Sequence, residues 1–316
     1  MLVARVGVSV AMLALLISRV PAGELHELWP RWTPWTVLDL AGAVVATAAA
    51  FCVAAARWYE VSATLGLSTS LPRLLQHYLA GQFVGNFLPT TIGGDVLRVG
   101  RLGRDCGDRP GAFASVVIER LTGWLVLPVL TLTALVADRG LLGPAGGRIA
   151  LVVAVTTLSV LFGIVYAAEH PRLGGRVLGD TSVRRYLGAV HTGLALYRRH
   201  PAAAGRLLVV AMGYQLLLVS ATATAAAAIG IRPGFGAWLA FAPMVMIVQV
   251  LPVTIGGLGV REGALVVFLG AHGVDHAAAV SLGIVLYLLN LLVSLLGAPS
   301  FAVGGGTRPV PATGGG

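Results

Sequence analysis

Long apolar stretches, separated by short clusters of arginine, glycine and proline, run the length of the chain. A helix that crosses a bilayer needs about 20 mostly apolar residues. Val3 to Val20, Trp35 to Ala56, Ala112 to Val136, Ile149 to Ala168, Leu207 to Ile229 and Ala277 to Ala298 each read as one span. Leu74 to Gly94 and Ala237 to Leu269 are apolar too, but interrupted, and the interruption is nearly the same in both. LPTTIGGDVLR (Leu88 to Arg98) returns as LPVTIGGLGVR (Leu251 to Arg261), identical at seven of eleven positions. Pro89 and Pro252 cannot continue a helix interior. Gly93-Gly94 and Gly256-Gly257 permit backbone conformations closed to other residues. The motif therefore predicts a broken helix within each apolar segment.

Composition narrows the class. Of 316 residues, 57% are hydrophobic and 11% charged, against about a quarter charged in soluble domains. Too few charges remain to cover a water-facing surface, so the chain reads as an all-α polytopic membrane protein. Every one of its 22 basic residues is arginine, and the net charge is +9. In a membrane protein such a surplus belongs on loops beside an anionic leaflet; the arginines are too scattered for a nucleic-acid partner. Cys52 and Cys106 form neither a disulfide framework nor a zinc site. The first apolar run, behind Arg5, has no clean cleavage site after it and reads as a signal anchor.

The positive-inside rule sets the topology. With the N-terminus cytoplasmic, Arg57 and Arg73 fall on a cytoplasmic loop. If Leu74 to Gly94 crossed the membrane, Arg98, Arg101, Arg104 and Arg109 would lie outside. If it dips in and returns, they stay inside. The Arg-rich segment Glu169 to Arg206 and the C-terminus then also fall inside, and the second interrupted segment dips in from the opposite face. The expectation is six full spans plus two re-entrant helical hairpins, an inverted-topology repeat with halves 1–145 and 146–300. Eight plain spans are the alternative. Short or Gly/Pro-interrupted segments at matching places in two halves point to a transporter's binding site. Between the spans, 182–199 has helical apolar spacing flanked by arginines, which predicts an amphipathic helix on the cytoplasmic leaflet. Residues 301–316, rich in Gly and Pro, predict a disordered tail.

The chemistry sits at the interruptions. Free N–H groups at the start of a half-helix attract anions. Thr91 and Thr254 add hydroxyls, and Arg98 and Arg261 follow one turn later with guanidiniums that grip phosphate in two-pronged fashion. Glu119-Arg120 and Glu262 lie in apolar surroundings, where charge is costly and functional by default. They are expected to pair, Glu119 or Glu262 meeting Arg98 or Arg261, with Asp95 either a further charge partner beside Arg120 or a helix N-cap. Tyr78, Gln82 and Asn86 recur at i, i+4, i+8 on one face, and Gln249 stands before the second Leu-Pro as Asn86 does before the first. These polar groups line a wet cavity or join helices by hydrogen bonds. No HExxH and no carboxylate cluster at metal spacing occurs, so no catalytic residue, metal or cofactor is expected.

GQFVGNFLPTTIGGDVLRVGRL, ASVVIERLTG and, much later, LPVTIGGLGVREGALVVFLG closely resemble the flippase-like membrane family that includes the transmembrane region of lysylphosphatidylglycerol synthase. The matching residues are Pro89, Gly93, Gly94, Asp95 and Arg98; Glu119 and Arg120; Gly257, Gly259, Arg261, Glu262 and Gly263. The resemblance implies lipid translocation, with aminoacylated phosphatidylglycerol or polyprenyl-phosphate-linked sugars as substrate classes. The full synthase carries a large soluble domain; none follows in this sequence, so synthesis is not implied. The expected protein is a plasma-membrane flippase of anionic or zwitterionic lipids, possessing no enzyme activity and served by a separate synthase or envelope enzyme. A lipid-binding scaffold and a membrane-embedded lipid transferase are the alternatives.

Overall fold

The computed structural model describes residues 11–12, 14–18, 32–87, 92–169, 181–250, 254, 256–270 and 272–302. Among these the chain is all helical. The α-helices are α1 (Pro34–Thr64), α2 (Leu71–Phe87), α3 (Ile92–Asp105), α4 (Arg109–Ala137), α5 (Ala145–Glu169), α6 (Thr181–Arg199), α7 (Pro201–Ala228), α8 (Phe235–Val248), α9 (Val260–Gly270), α10 (His276–Ser294) and the short α11 (Ala298–Ala302).

The helix starts are written in side chains. Thr33 caps α1 by accepting from the Thr36 N–H at 3.1 Å, with Pro34 in the first turn. Asp108 caps α4 through the Gly111 N–H at 2.9 Å, and Asp275 caps α10 through the Ala277 N–H at 2.8 Å. Each cap satisfies a backbone donor that the helix itself cannot.

Among the described residues, five helices are long and apolar enough to cross a bilayer: α1, α4, α5, α7, and α10 continued to Ala302. Their outer faces carry exposed Val45, Val152, Phe162, Val209 and Leu292. Soluble monomers rarely expose so much apolar surface, whereas acyl chains accept it. This is a multi-pass membrane protein. The predicted span Val3 to Val20 lies largely outside the described residues, though 11–12 and 14–18 are helical. The predicted tail also lies outside them, save its first two residues, which end α11.

α2 and α3 run antiparallel. Arg73, near the start of α2, donates to Asp105, at the end of α3, at 2.9 Å, and His77 joins the same carboxylate at 2.7 Å. Burial works against the charge on Asp105, but these two hydrogen bonds outweigh it and hold the carboxyl below its ordinary range. At the first turn of α3, the backbone of Gly94 meets that of Gly81. With a rise of 1.5 Å per residue, α2 and α3 are about 25 and 21 Å long, short of a hydrocarbon core of about 30 Å.

The two interruptions are built differently, which corrects the expectation that both glycine pairs break a helix. α3 begins at Ile92, so Gly93 and Gly94 lie in its first turn, and Gly94 serves the close approach to Gly81. Pro89 and Thr91, just before α3 in sequence, lie outside the described residues. In the second copy, α8 stops at Val248 and α9 starts at Val260. There Gly256, Gly257 and Gly259 have φ of 58°, 75° and 86°, values that side-chain-bearing residues avoid.

The order long helix, two short helices, long helix occurs as α1, α2–α3, α4 and again as α7, α8–α9, α10. One core gathers Phe51, Trp58, Leu74, Tyr78 and Leu102; the other gathers Trp238, Phe241, Leu265, Phe268 and Leu282. α1 and α7 pack along each other and join the two. α6 lies against α4. Tyr186 sets its ring edge-on to Phe113 at 5.4 Å, and Val190 and Tyr197 are buried while Leu187 stays exposed, so protein covers part of its apolar face. Pro128 in α4 and Pro243 in α8 each leave one backbone carbonyl without its helical donor. Between them the Thr131 hydroxyl donates to the Ala240 carbonyl at 2.8 Å.

Candidate functional site

Three helices meet at Glu119, which α4 carries and which is 2% exposed. α1 brings Arg57, whose Nη2 donates to Glu119 Oε1. α3 brings Arg98, whose Nη2 donates to Oε2 at 3.1 Å. The other Arg98 amino group donates to Asp95 Oδ1 at 3.0 Å. Asp95 in turn takes Arg120 of α4 on both oxygens, each at 2.9 Å. The result is a chain of alternating charge: Arg57, Glu119, Arg98, Asp95, Arg120. Arg98 is clamped between the Trp58 ring at 4.2 Å and the Tyr78 ring, from α2, at 4.8 Å. Arg57 lies over Tyr214 of α7 at 4.8 Å. Trp58 is fixed by its indole N–H, which donates to Ser115 at 3.0 Å.

Arg57 is the residue that sequence reading missed. Its position after the apolar run Trp35 to Ala56 marked it as a loop charge. In the structure α1 continues to Thr64, and Arg57 is buried by Glu119 and Tyr214. Glu60 follows three residues later, so nothing local set Arg57 apart from a loop charge. Of the two readings of Asp95, the structure has the charge partner. Asp95 is the fourth residue of α3, an ion-pair partner of Arg98 and Arg120 and not an N-cap.

The second half holds a smaller arrangement. Arg261 donates from Nε and Nη2 to Glu262 Oε1 at 3.2 and 2.7 Å. Glu262 Oε2 accepts from the Gly259 N–H at 2.6 Å. This amide, expected to await a ligand, is therefore held by the protein's own carboxylate. Gly283 of α10 makes room for Glu262: a Cβ there would stand 2.5 Å from its Cγ. Each glutamate thus pairs with the arginine of its own half. Thr254 is buried, and its hydroxyl finds no partner among the described residues.

Between the halves lies a cavity of about 210 Å³ with polar groups set among apolar walls. Gln82, Tyr214, Gln249, Arg261 and Asn290 line it. Arg98 does not; its charge is used inside the ion chain. Tyr78 stacks on Arg98. Asn86 bridges α2 to α10, donating to Ser294 at 2.8 Å and accepting from Asn290 at 3.1 Å. Of the polar residues expected to line a cavity, Gln82 and Gln249 do so, while Tyr78 and Asn86 stand behind it. Among the described residues no three His, Cys, Asp or Glu side chains gather as a metal site requires.

The model of the lysylphosphatidylglycerol synthase TM region matches residues 2–297, nearly the whole chain. The chain belongs to this family. Within this TM-region fold, the Glu119 chain and the Arg261–Glu262 pair fall on the blocks that the sequence singled out. No curated protein matches the chain.

Proposed function

We propose that the protein moves an anionic or zwitterionic lipid between leaflets. The observation that carries this reading is Arg261, buried on the wall of a cavity that also presents Gln82, Gln249 and Asn290, beside a glycine-broken helix and between two halves of the bundle. A buried guanidinium is costly unless paired, and Glu262 supplies the pair while the site is empty. A phosphate entering the cavity would compete with Glu262 for the same two nitrogens. Gln82, Gln249 and Asn290 then offer amides to the rest of the headgroup, and the tails stay in the bilayer.

The reading includes α2–α3 and α8–α9 as re-entrant hairpins from opposite faces of the plasma membrane, in an inverted repeat. Their length and the Arg73–Asp105 closure support this. Arg101 donates to the Ser300 carbonyl at 2.9 Å, so the end of α3 and the segment after α10 share one end of the bundle. Its arginine content supports a cytoplasmic assignment for that end and for both termini. Aminoacyl-phospholipids and polyprenyl-phosphate-linked lipids are the substrate classes. The protein itself is not an enzyme; a separate synthase supplies the lipid. The cavity is smaller than the roughly 300–1,000 Å³ of ordinary ligand sites, as suits a closed, unloaded conformation.

Reconstitution into liposomes with headgroup-labelled lipids tests the proposal. The expected result is transfer of label between leaflets, unchanged lipid mass, and loss of transfer in Arg261→Ala. Altered lipid mass would make the protein a transferase. Specific lipid retention with no transfer would make it a scaffold.

A further inference from the structure

A second, larger recess lies on the other side of α8. It is a groove of about 1,030 Å³ between α3, α4 and α5, walled almost wholly by apolar side chains such as Phe113, Trp124 and Val160. Only three charged residues reach it: Asp95, Arg109 and Arg120. Ile247 and Val248 face this groove, while the next residue, Gln249, faces the smaller cavity. The end of α8 is therefore the partition between the two spaces, and the glycine-rich break follows directly after it.

The charges are unbalanced in one direction. Arg57, Arg98 and Arg120 share the two carboxylates Glu119 and Asp95, leaving one positive charge over. Arg109 has no acidic partner among the described residues and adds another. Arg120 keeps 40% of its side chain exposed although Asp95 holds it on two atoms. Arg109 and Arg120 stand eleven residues apart on one helix, which puts them on the same face, about 16 Å from each other. A basic mouth above a long greasy wall is the complement of an anion carrying a hydrocarbon tail.

We infer that this groove is a docking site for a phospholipid of net negative charge taken directly from the bilayer. Its phosphate rests on Arg109 at the mouth, and an acyl chain lies along α4 and α5 past Trp124. Arg120, three turns deeper, is the next cation on the way to the partition. The ion chain continues from Arg120 through Arg98 to Arg57, which touches Tyr214 on the cavity wall. The inference rests on the lipid-transport reading and adds to it where the lipid waits and which charge is selected.

Trp124 makes the site measurable. The full chain is reconstituted into vesicles with acyl-brominated phosphatidylglycerol or acyl-brominated phosphatidylcholine at varied mole fraction. Quenching lost in Trp124→Phe is the share that belongs to the groove. The anionic lipid is expected to quench that share at lower mole fraction, and Arg109→Gln to reduce the preference about fivefold, the contribution of one arginine near a membrane surface. Thr156→Phe, which fills the groove from α5, is expected to weaken quenching by both lipids. Equal quenching by both lipids in the unaltered chain, a preference untouched by Arg109→Gln, or quenching untouched by Thr156→Phe would each overturn the assignment. Label transfer is read in the same vesicles. A chain that shows the preference without transfer keeps the groove and loses the transport reading; transfer without the preference loses the groove alone.

Discussion

Gly81 and Gly94 meet backbone to backbone, so close that the carbonyl of one occupies the place of a side-chain carbon on the other. Two helices can approach this far only where both lack a Cβ. The contact holds the first turn of α3 against α2, and the Arg73–Asp105 pair closes the opposite end.

Gly94→Ala should therefore separate the two helices. Overpacking of this kind costs about 1–3 kcal/mol, and more where backbone is the obstacle. Gly85→Ala on the same hairpin meets nothing within 4 Å and should be neutral or mildly stabilising, because alanine favours helix by up to about 1 kcal/mol over glycine. Thermal unfolding of both variants in detergent measures the contrast; equal melting temperatures would show that the contact does not matter.

Glu119→Gln removes the charge that Arg57 and Arg98 share. Losing one partner of a buried pair costs about 3–5 kcal/mol, so this variant should unfold well below the parent protein. Arg120→Gln, at the groove end of the same chain, leaves Asp95 paired with Arg98 and should cost less than Glu119→Gln. Adding Arg57→Met to Glu119→Gln should restore part of the loss, which a double-mutant cycle of melting free energies reads directly.

Gly283→Ala drives a methyl group into Glu262, 2.5 Å from Cγ and 2.7 Å from Oε1. Displaced Glu262 no longer positions Arg261 or caps Gly259. Label transfer should fall at least as far as in Arg261→Ala, although residue 283 touches no cavity. Transfer at the parental rate would mean that Glu262 does not set the arginine.

Gly259→Ala places a Cβ on a residue at φ 86°, a strain of about 1–2 kcal/mol. Gly263→Ala, in the first turn of α9 with nothing within 4 Å, should be silent. Comparing their melting temperatures isolates the backbone conformation of the break from mere loss of glycine.

How far the sequence reveals this structure depends on the residue. The long spans are legible because apolar runs of this length have few other fates. The recurring Leu-Pro and Gly-Gly motif located both interruptions, but the same letters serve different ends. Gly94 is needed for its neighbour Gly81, thirteen positions away, and no local rule records that contact. Gly256, Gly257 and Gly259 are needed for their own dihedral angles, which local reasoning does capture. Glu119 and Glu262 were legible as charges out of place. Arg57 was not, because an arginine just past an apolar run looks like a loop until the helix is known to continue. The stripe Tyr78, Gln82, Asn86 was found, yet its members face three different partners, because a helix face is wide and several helices pack on it.

The prolines of α4 and α8 lie one turn from the bond that ties Thr131 to Ala240. Each helix lacks a rung of its ladder at the same depth, so flexing there breaks no hydrogen bond that elsewhere would have to be sacrificed. The hydroxyl bridge means that when one rod bows, the other is drawn along with it.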